Sequence, residues 1–284
     1  MIQNRKFVIY TTATNASSLG YRTTLEASIN SSTKHEFVDE FYILDGQSED
    51  DTPTFLQGLE EKNTKVKVLN SPLWKKDNWT WETLLEQYNY FYDFIMKKCN
   101  HDNEEIIVLY QCSDQVWVDD YAKELFEHLN KMVDENYDII ISPFRKMVNS
   151  KYITALYDYS PDFSVYSSLR FRPGHTYRIA GNENLLISSF SSKKMNIKFR
   201  SAPISYDMTF FTRQNLQEKI TNHQCGINHR KIDEYIINGF LRKCLTLSPR
   251  QVPFDFHPLE IRDHVENINA DLFGYDCFGH FRGL

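Results

Sequence analysis

Ile106–Tyr121 reads IIVLYQCSDQVWVDDY. An apolar run of this kind is a strand buried on both faces, and it delivers Asp114 at its mouth, with Asp119 and Asp120 just beyond. In open α/β sheets ligands sit in the crevice past the carboxyl ends of the strands. A carboxylate at the end of a buried strand therefore marks a place to look for a ligand.

Working outward, KFVIYTTA is a first strand, and the Thr11–Asn15 cluster is a loop feeding a helix through Glu26 and Ile29. In EFYILDGQSEDDT, Phe41 to Leu44 is a strand turned by Asp45-Gly46, and Ser48, Asp50, Asp51 and Thr52 are suited to cap a helix from Pro53 to Lys62. KVKVLN supplies a third strand, a helix runs from about Trp81 to Lys97, and NEEIIVLYQCSD is the fourth strand. DYAKELFEHLNKMV sets Leu125, Leu129 and Met132 at helical spacing, and YDIIISPF is a further strand. Strands alternating with helices predict an α/β fold with a mainly parallel, doubly wound sheet flanked by helices. Lys151 to Ser201 holds short β-like runs and reads as a β-rich insertion or acceptor region. From Asn215 the pattern turns helical through Gln217–Ile220 and Lys231–Leu241, with a loop at Ser248–His257 and a last helix from near Pro258. The 284 residues read as a single domain, with 1–143 as its ligand-binding half and 144–284 as a second half.

Composition narrows the classes. Hydrophobic residues at 41% and charged residues at 25% are globular values. The net charge of −6 does not advertise a nucleic-acid binder, yet between Arg145 and Arg200 ten basic residues stand against three acidic ones. Five cysteines without a C-x-x-C pair suit free thiols in a reducing compartment. The N-terminal apolar run is too short for a signal peptide and no segment has the length of a membrane span. These features predict a cytoplasmic protein. There is no G-x-G-x-x-G after the first strand, no phosphate-cradling G-x-x-x-x-G-K-[ST] and no G-x-S-x-G, which disfavours a Rossmann dehydrogenase, a P-loop enzyme and a serine hydrolase.

Two strand ends present acids, Asp45 and Asp114. One carboxylate there suits hydrogen bonds from a base or ribose, and another suits a divalent cation on a diphosphate. Such a cation would stabilise the charge of a leaving nucleoside diphosphate. Each residue also has a plainer reading: Asp45-Gly46 as a strand-ending turn, Asp114 as a helix cap, and Asp119 and Asp120 as charges stabilising a helix N-terminus.

The blocks YTTATNASSLGYRTTLEASI and FYILDGQSEDDT resemble the opening of family 2 glycosyltransferases of the GT-A fold, and IIVLYQCSDQVWVDDY is similar to the strand that those enzymes end in a D-x-D-like metal motif. The resemblance extends to ISYDMTFFTRQNLQEK and FDFHPLEIRDHV. It implies a nucleoside diphosphate sugar donor, a UDP-sugar foremost, with nucleotide contacts from Thr11, Asp45 and Asp114. It further implies Mn²⁺ or Mg²⁺ held by Asp114 and His257, and Asp207 as general base for an acceptor hydroxyl. The chain departs from the pattern at Gln115 and Val116, where an acid is expected, and at Ser205, in a position where relatives carry His. For Asp207 and His257 an ordinary loop residue is the favoured reading, and Trp79 and Trp81 read equally as sugar- or base-stacking and as core side chains.

The basic segment, with Arg170, Arg172 and Arg178 among interleaved aromatics, suits a phosphate-bearing acceptor. A solvated basic surface is the plain alternative. The Lys-, Asn-, Ile- and Tyr-rich composition resembles proteins of large tailed bacteriophages, some of which glycosylate hydroxymethylated bases in their own DNA. That implies DNA with a modified or already glucosylated base as acceptor, in the host cytoplasm. A surface polysaccharide or glycan acceptor, and a non-catalytic nucleotide- or sugar-binding module, are the competing expectations.

Overall fold

The computed structural model describes residues 5–18, 20–72, 81–113, 115–141, 144–149, 152–154, 167–180, 187–190, 197–199, 205–207, 250–251 and 260. The sequence alternates β1 (Lys6–Ala13), α1 (Arg22–Thr33), β2 (Glu40–Asp45), α2 (Thr52–Lys62), β3 (Val66–Asn70), α3 (Trp81–Asp102) and β4 (Ile106–Tyr110). Then follow β5 (Gln115–Trp117), α4 (Asp119–Asp134), β6 (Ile139–Ile141), β7 (Phe144–Asn149), β8 (Tyr152–Thr154), β9 (Ser167–Phe171) and β10 (Tyr177–Ala180). Four short strands complete the described elements: β11 (Ile187–Phe190), β12 (Ile197–Phe199), β13 (Ser205–Asp207) and β14 (Arg250–Gln251).

The central sheet has the order β12-β6-β9-β4-β1-β2-β3. β4, β1, β2 and β3 are mutually parallel, β9 runs against both β4 and β6, and β12 is parallel to β6. The architecture is a mixed α/β layer structure, a mainly parallel sheet flanked by helices, as the alternating sequence pattern predicts. Strand alternation sorts the core into two layers. Phe7, Ile9, Phe41, Ile43, Ile107 and Leu109 face α1, α2 and α4. Val8, Tyr10, Tyr42, Leu44, Ile106 and Val108 face α3 through Tyr88, Phe91, Tyr92 and Ile95. Much of the aromatic content is spent here, as in the stacked Tyr10–Phe91 pair with ring centroids 4.2 Å apart.

Two expectations need correction. The fourth strand does not run on to Asp114: β4 stops at Tyr110, a turn closed by Gln115 N–H to the Cys112 carbonyl (3.0 Å) follows, and Gln115–Trp117 joins a second sheet of order β14-β8-β7-β13-β5. The physical reason is α1. Its buried serines are small enough for β5 to approach, Ser31 Oγ accepts the Trp117 amide (3.0 Å), and the Trp117 ring stacks on Phe37. The second correction concerns the middle segment, which is more than an insertion, because β9 and β12 complete the central sheet. Leu169, Phe171 and Tyr177 of the second half pack in the same cluster as Val8 and Tyr10 of the first. The C-terminal helical pattern lies outside the described residues, apart from Glu260. There Lys34, at the end of α1, pairs with Glu260 (2.5 Å) and with Asp119 of the first turn of α4 (2.7 Å).

Candidate functional site

β2 lies on one side of β1 and β4 on the other, so the winding direction reverses at β1 and a crevice opens beyond the β1 and β4 ends. Gln111 extends β4 past that point, its N–H bonding the Tyr10 carbonyl at 2.9 Å. Thr11 and Asp45 fall on one face of the sheet, since the register pairs Thr11 with Ile43 and Ala13 with Asp45. Both are buried, at 0% and 4% exposure.

The loops after β1 and β2 are clasped together. Asp45 Oδ1 accepts from Ser48 Oγ at 2.6 Å and from Ser48 N at 3.2 Å. Ser48 Oγ in turn takes the Asn15 amide (2.8 Å), and Asn15 Oδ1 takes the Glu49 amide (2.8 Å). The Tyr21 hydroxyl closes the first loop on both the N–H and the carbonyl of Thr14, each at 2.7 Å. Asn15 and Gln47 adopt left-handed backbone, with φ of 50° and 56°, which costs about 1 kcal/mol per non-glycine residue and is held in place by this network.

Asp50 finishes the clasp, accepting from the amides of Ser18 (2.7 Å) and Thr52 (2.9 Å). Burial works against its ionisation, but hydrogen bonds from Thr52 and Ser18 outweigh this and hold its pKa down at about 2. With the folded value depressed, the stabilisation is complete above the unfolded carboxylate value of about 4. It is lost only as pH falls through about 2.

Among the described residues, Thr11 Oγ1, Gln111 Oε1 and Gln115 Nε2 are buried polar atoms at the strand ends without a protein partner. The Gln111 amide nitrogen is fully used, on Ser28 Oγ (2.7 Å), Ser28 O (3.0 Å) and Gln115 O (3.0 Å), so its oxygen is the end left over. Sequence reasoning passed over Asn15, Ser48's part in holding Asp45, Gln111 and Ser28, because a polar side chain in a loop looks alike whether it meets solvent or a neighbouring loop. An Asn in a loop that requires positive φ was the available signal.

Of the other expected site residues, Asp207 ends β13, which pairs antiparallel with β5 so that Asp207 stands opposite Gln115, one residue from Asp114. Asp114, His257 and Trp79 lie outside the described residues, and Trp81 opens α3. Arg170 and Arg172 are brought elsewhere. Arg170 pairs with Ile107 in the β4–β9 ladder, four residues before Gln111, which is roughly 13 Å by strand rise. Its Nε and Nη2 bond the two Glu105 oxygens at 2.9 and 3.1 Å, while Arg172 pairs with Asp138 and Asn136. Burial disfavours the Glu105 carboxylate, and hydrogen bonds from Arg5 and Arg170 outweigh it, so its pKa lies below the usual range. These two arginines close the strand-start end of the core rather than line the crevice. Arg178 is exposed at the second position of β10.

Among the described residues, no group of three or more His, Cys, Asp or Glu side chains is placed to hold a metal ion. Among the same residues no helix is long and apolar enough to cross a membrane.

No protein-family model matches this chain, and no curated protein matches it. Among solved structures, residues 1–349 of S. aureus TarS in complex with UDP are similar over 99% of this chain and 92% of that one, with TM-score 0.45 and 13% identity. The same TarS fragment with UDP-GlcNAc matches 86% of this chain and 73% of that one, with TM-score 0.44 and 14% identity. The mannosyltransferase PcManGT from Pyrobaculum calidifontis, in complex with GDP-Man and Mn²⁺, matches 50% and 37% of the two chains, with TM-score 0.35 and 12% identity.

Proposed function

We propose that this chain is a GT-A-type glycosyltransferase that moves a sugar from a nucleoside diphosphate, a UDP-sugar foremost, to an acceptor hydroxyl. The observation that carries the reading is the crevice at the winding reversal. There a clasped double loop holds Asp45 buried, and Thr11 Oγ1 waits without a protein partner on the same face. A buried hydroxyl without a partner is costly, about 1–3 kcal/mol, and a nucleotide's base or ribose would supply one. Asp45 accepts hydrogen bonds from that nucleotide, and Asp114 is assigned to its diphosphate on its place in the sequence, just before β5.

Asp207 serves as base. It takes the proton of the acceptor hydroxyl as that oxygen bonds to the anomeric carbon, and the bond to the diphosphate breaks with its electron pair leaving on the nucleoside diphosphate. The register that sets Asp207 opposite Gln115 supports this role. Asp114 and His257, the two expected metal ligands, lie outside the described residues, and a Mn²⁺ or Mg²⁺ held there would offset the charge of the leaving diphosphate. With Arg170 and Arg172 committed to Glu105 and Asp138, the acceptor reading shifts from DNA toward a glycan hydroxyl.

The test is thermal unfolding against a panel of nucleoside diphosphates, with and without Mn²⁺ or Mg²⁺. One nucleotide is expected to stabilise the protein, by about 2.7 kcal/mol at a hundredfold excess over Kd. Asp45→Asn is expected to lose that shift, and silence across the whole panel would sink the proposal. For the acceptor, transfer to a glycan insensitive to salt is expected. Transfer to hydroxymethylated DNA, falling steeply between 50 and 200 mM salt in the manner of phosphate contacts, would restore the DNA acceptor.

A further inference from the structure

Lys34 stands at the C-cap of α1, and its Nζ holds two carboxylates from distant parts of the chain, Asp119 in the first turn of α4 at 2.7 Å and Glu260 at 2.5 Å. The Glu260 side chain is 13% exposed and its Oε2 is buried without a partner, so among the described residues Lys34 is what holds this carboxylate. The neighbouring His35 ring lies against Phe37 and against Trp117 of β5, with centroids 5.6 and 5.8 Å away. Its Nε2 is buried without a hydrogen-bond partner and stands 3.6 Å from Asp119 Oδ1, the oxygen that Lys34 already holds. One carboxylate oxygen thus faces an ammonium group and an imidazole that can become a second cation near neutral pH.

The charges around the ring oppose one another. Asp119 and Glu260 favour an imidazolium, while Lys34 and Lys65 disfavour it, and Lys65, just before β3, also bonds the His35 carbonyl at 2.8 Å. Burial against the two aromatic rings is the largest influence and keeps the His35 pKa below its ordinary value. We propose that Lys34, His35, Asp119 and Glu260 form a pH-sensitive latch, in which Lys34 ties Glu260 to the α1–α4 junction at neutral pH and a proton on His35 loosens the tie. The Lys34 ammonium then shares its Asp119 oxygen with a second cation and is repelled by it. Glu260, with Lys34 as its holder, is gripped less firmly. Because the folded value of this base is depressed, the latch is fully stable above the unfolded value of about 6.5 and weakens as pH falls below it. The latch involves no substrate, and its test needs no turnover.

The experiment follows Tm and the hydrogen exchange of backbone amides around Glu260 from pH 8 to pH 5, after correction for the intrinsic pH dependence of exchange. Wild type is compared with His35→Phe, Lys34→Met and Glu260→Gln. Between pH 7 and pH 5 the wild-type Tm is expected to fall by about 2–4 °C more than that of His35→Phe, the scale of one modest interaction in a chain of this size. Protection around Glu260 is expected to drop in the same window. His35→Phe keeps an aromatic ring on Trp117 and cannot take a proton, so it is expected to hold that protection down to pH 5. Lys34→Met and Glu260→Gln are expected to show low protection at every pH, without the step. A His35→Phe protein that keeps the wild-type step overturns the sensor. A wild-type protein whose Tm responds through His35 while protection around Glu260 stays constant overturns the latch and leaves His35 as a buried titrating group. If His35→Phe does not fold, His35→Gln carries the same comparison, with loss of the step supporting the latch and its retention refuting it.

Discussion

Asp207→Asn is expected to lower turnover roughly 10²- to 10⁴-fold while leaving the nucleotide-induced rise in Tm in place. The substitution keeps the size and shape of the side chain and removes only its capacity to take a proton. Donor binding is assigned to Thr11, Asp45 and Asp114, on other strands or beyond another strand end, so the two readouts separate. β13 is held by backbone pairing on both sides, to β5 and to β7, and Asn makes the same backbone bonds as Asp. Turnover would be followed as release of nucleoside diphosphate in the presence of acceptor. A variant that loses the nucleotide shift along with turnover would place Asp207 in the donor site instead. One that keeps both would remove it from the chemistry.

Arg170→Ala is expected to destabilise the fold by about 3 kcal/mol, the scale for removing one partner of a buried ion pair. That corresponds to a fall in Tm of roughly 6–12 °C for a chain of this size. The Arg170 side chain is 6% exposed and its Glu105 partner 22%, and Glu105 is shared with Arg5 at 2.5 Å. Removing the guanidinium leaves a largely buried carboxylate with less than its full set of donors. Because Arg170 sits at the start of the parallel strands, acceptor KM is expected to be unchanged. A rise in acceptor KM without a fall in Tm would return Arg170 to the acceptor surface, where its place in a basic stretch of sequence had first put it.

The contrast between Arg170 and Asp45 shows what one-dimensional reading reaches. Both are charged residues beside apolar runs. Asp45 was legible because a strand end is a local event: an apolar run, then Asp-Gly, then polar residues able to cap a helix. Its burial and its hydrogen bonds from Ser48 follow from residues three apart. Arg170 is charged and mid-strand, and its partners stand 65 and 34 residues away, at Glu105 and Asn136. Nothing near it in the chain distinguishes an arginine that closes the core from one that meets a phosphate.

The sequence by itself determined the alternation of strands and helices, the α/β class, the turn after β2, and the helical spacing of the apolar residues of α4, all of which depend on residues within a turn or a strand of one another. Only the tertiary structure decided that the strand of Ile106–Tyr110 ends before Asp114, that β5 leaves for a second sheet, and that Asp207 stands between Gln115 and Lys146. Those outcomes are set by pairings between segments some 60 to 90 residues apart. The energy that selects them, burial of Trp117 against Phe37 and completion of backbone ladders, is realised only when the chain has folded.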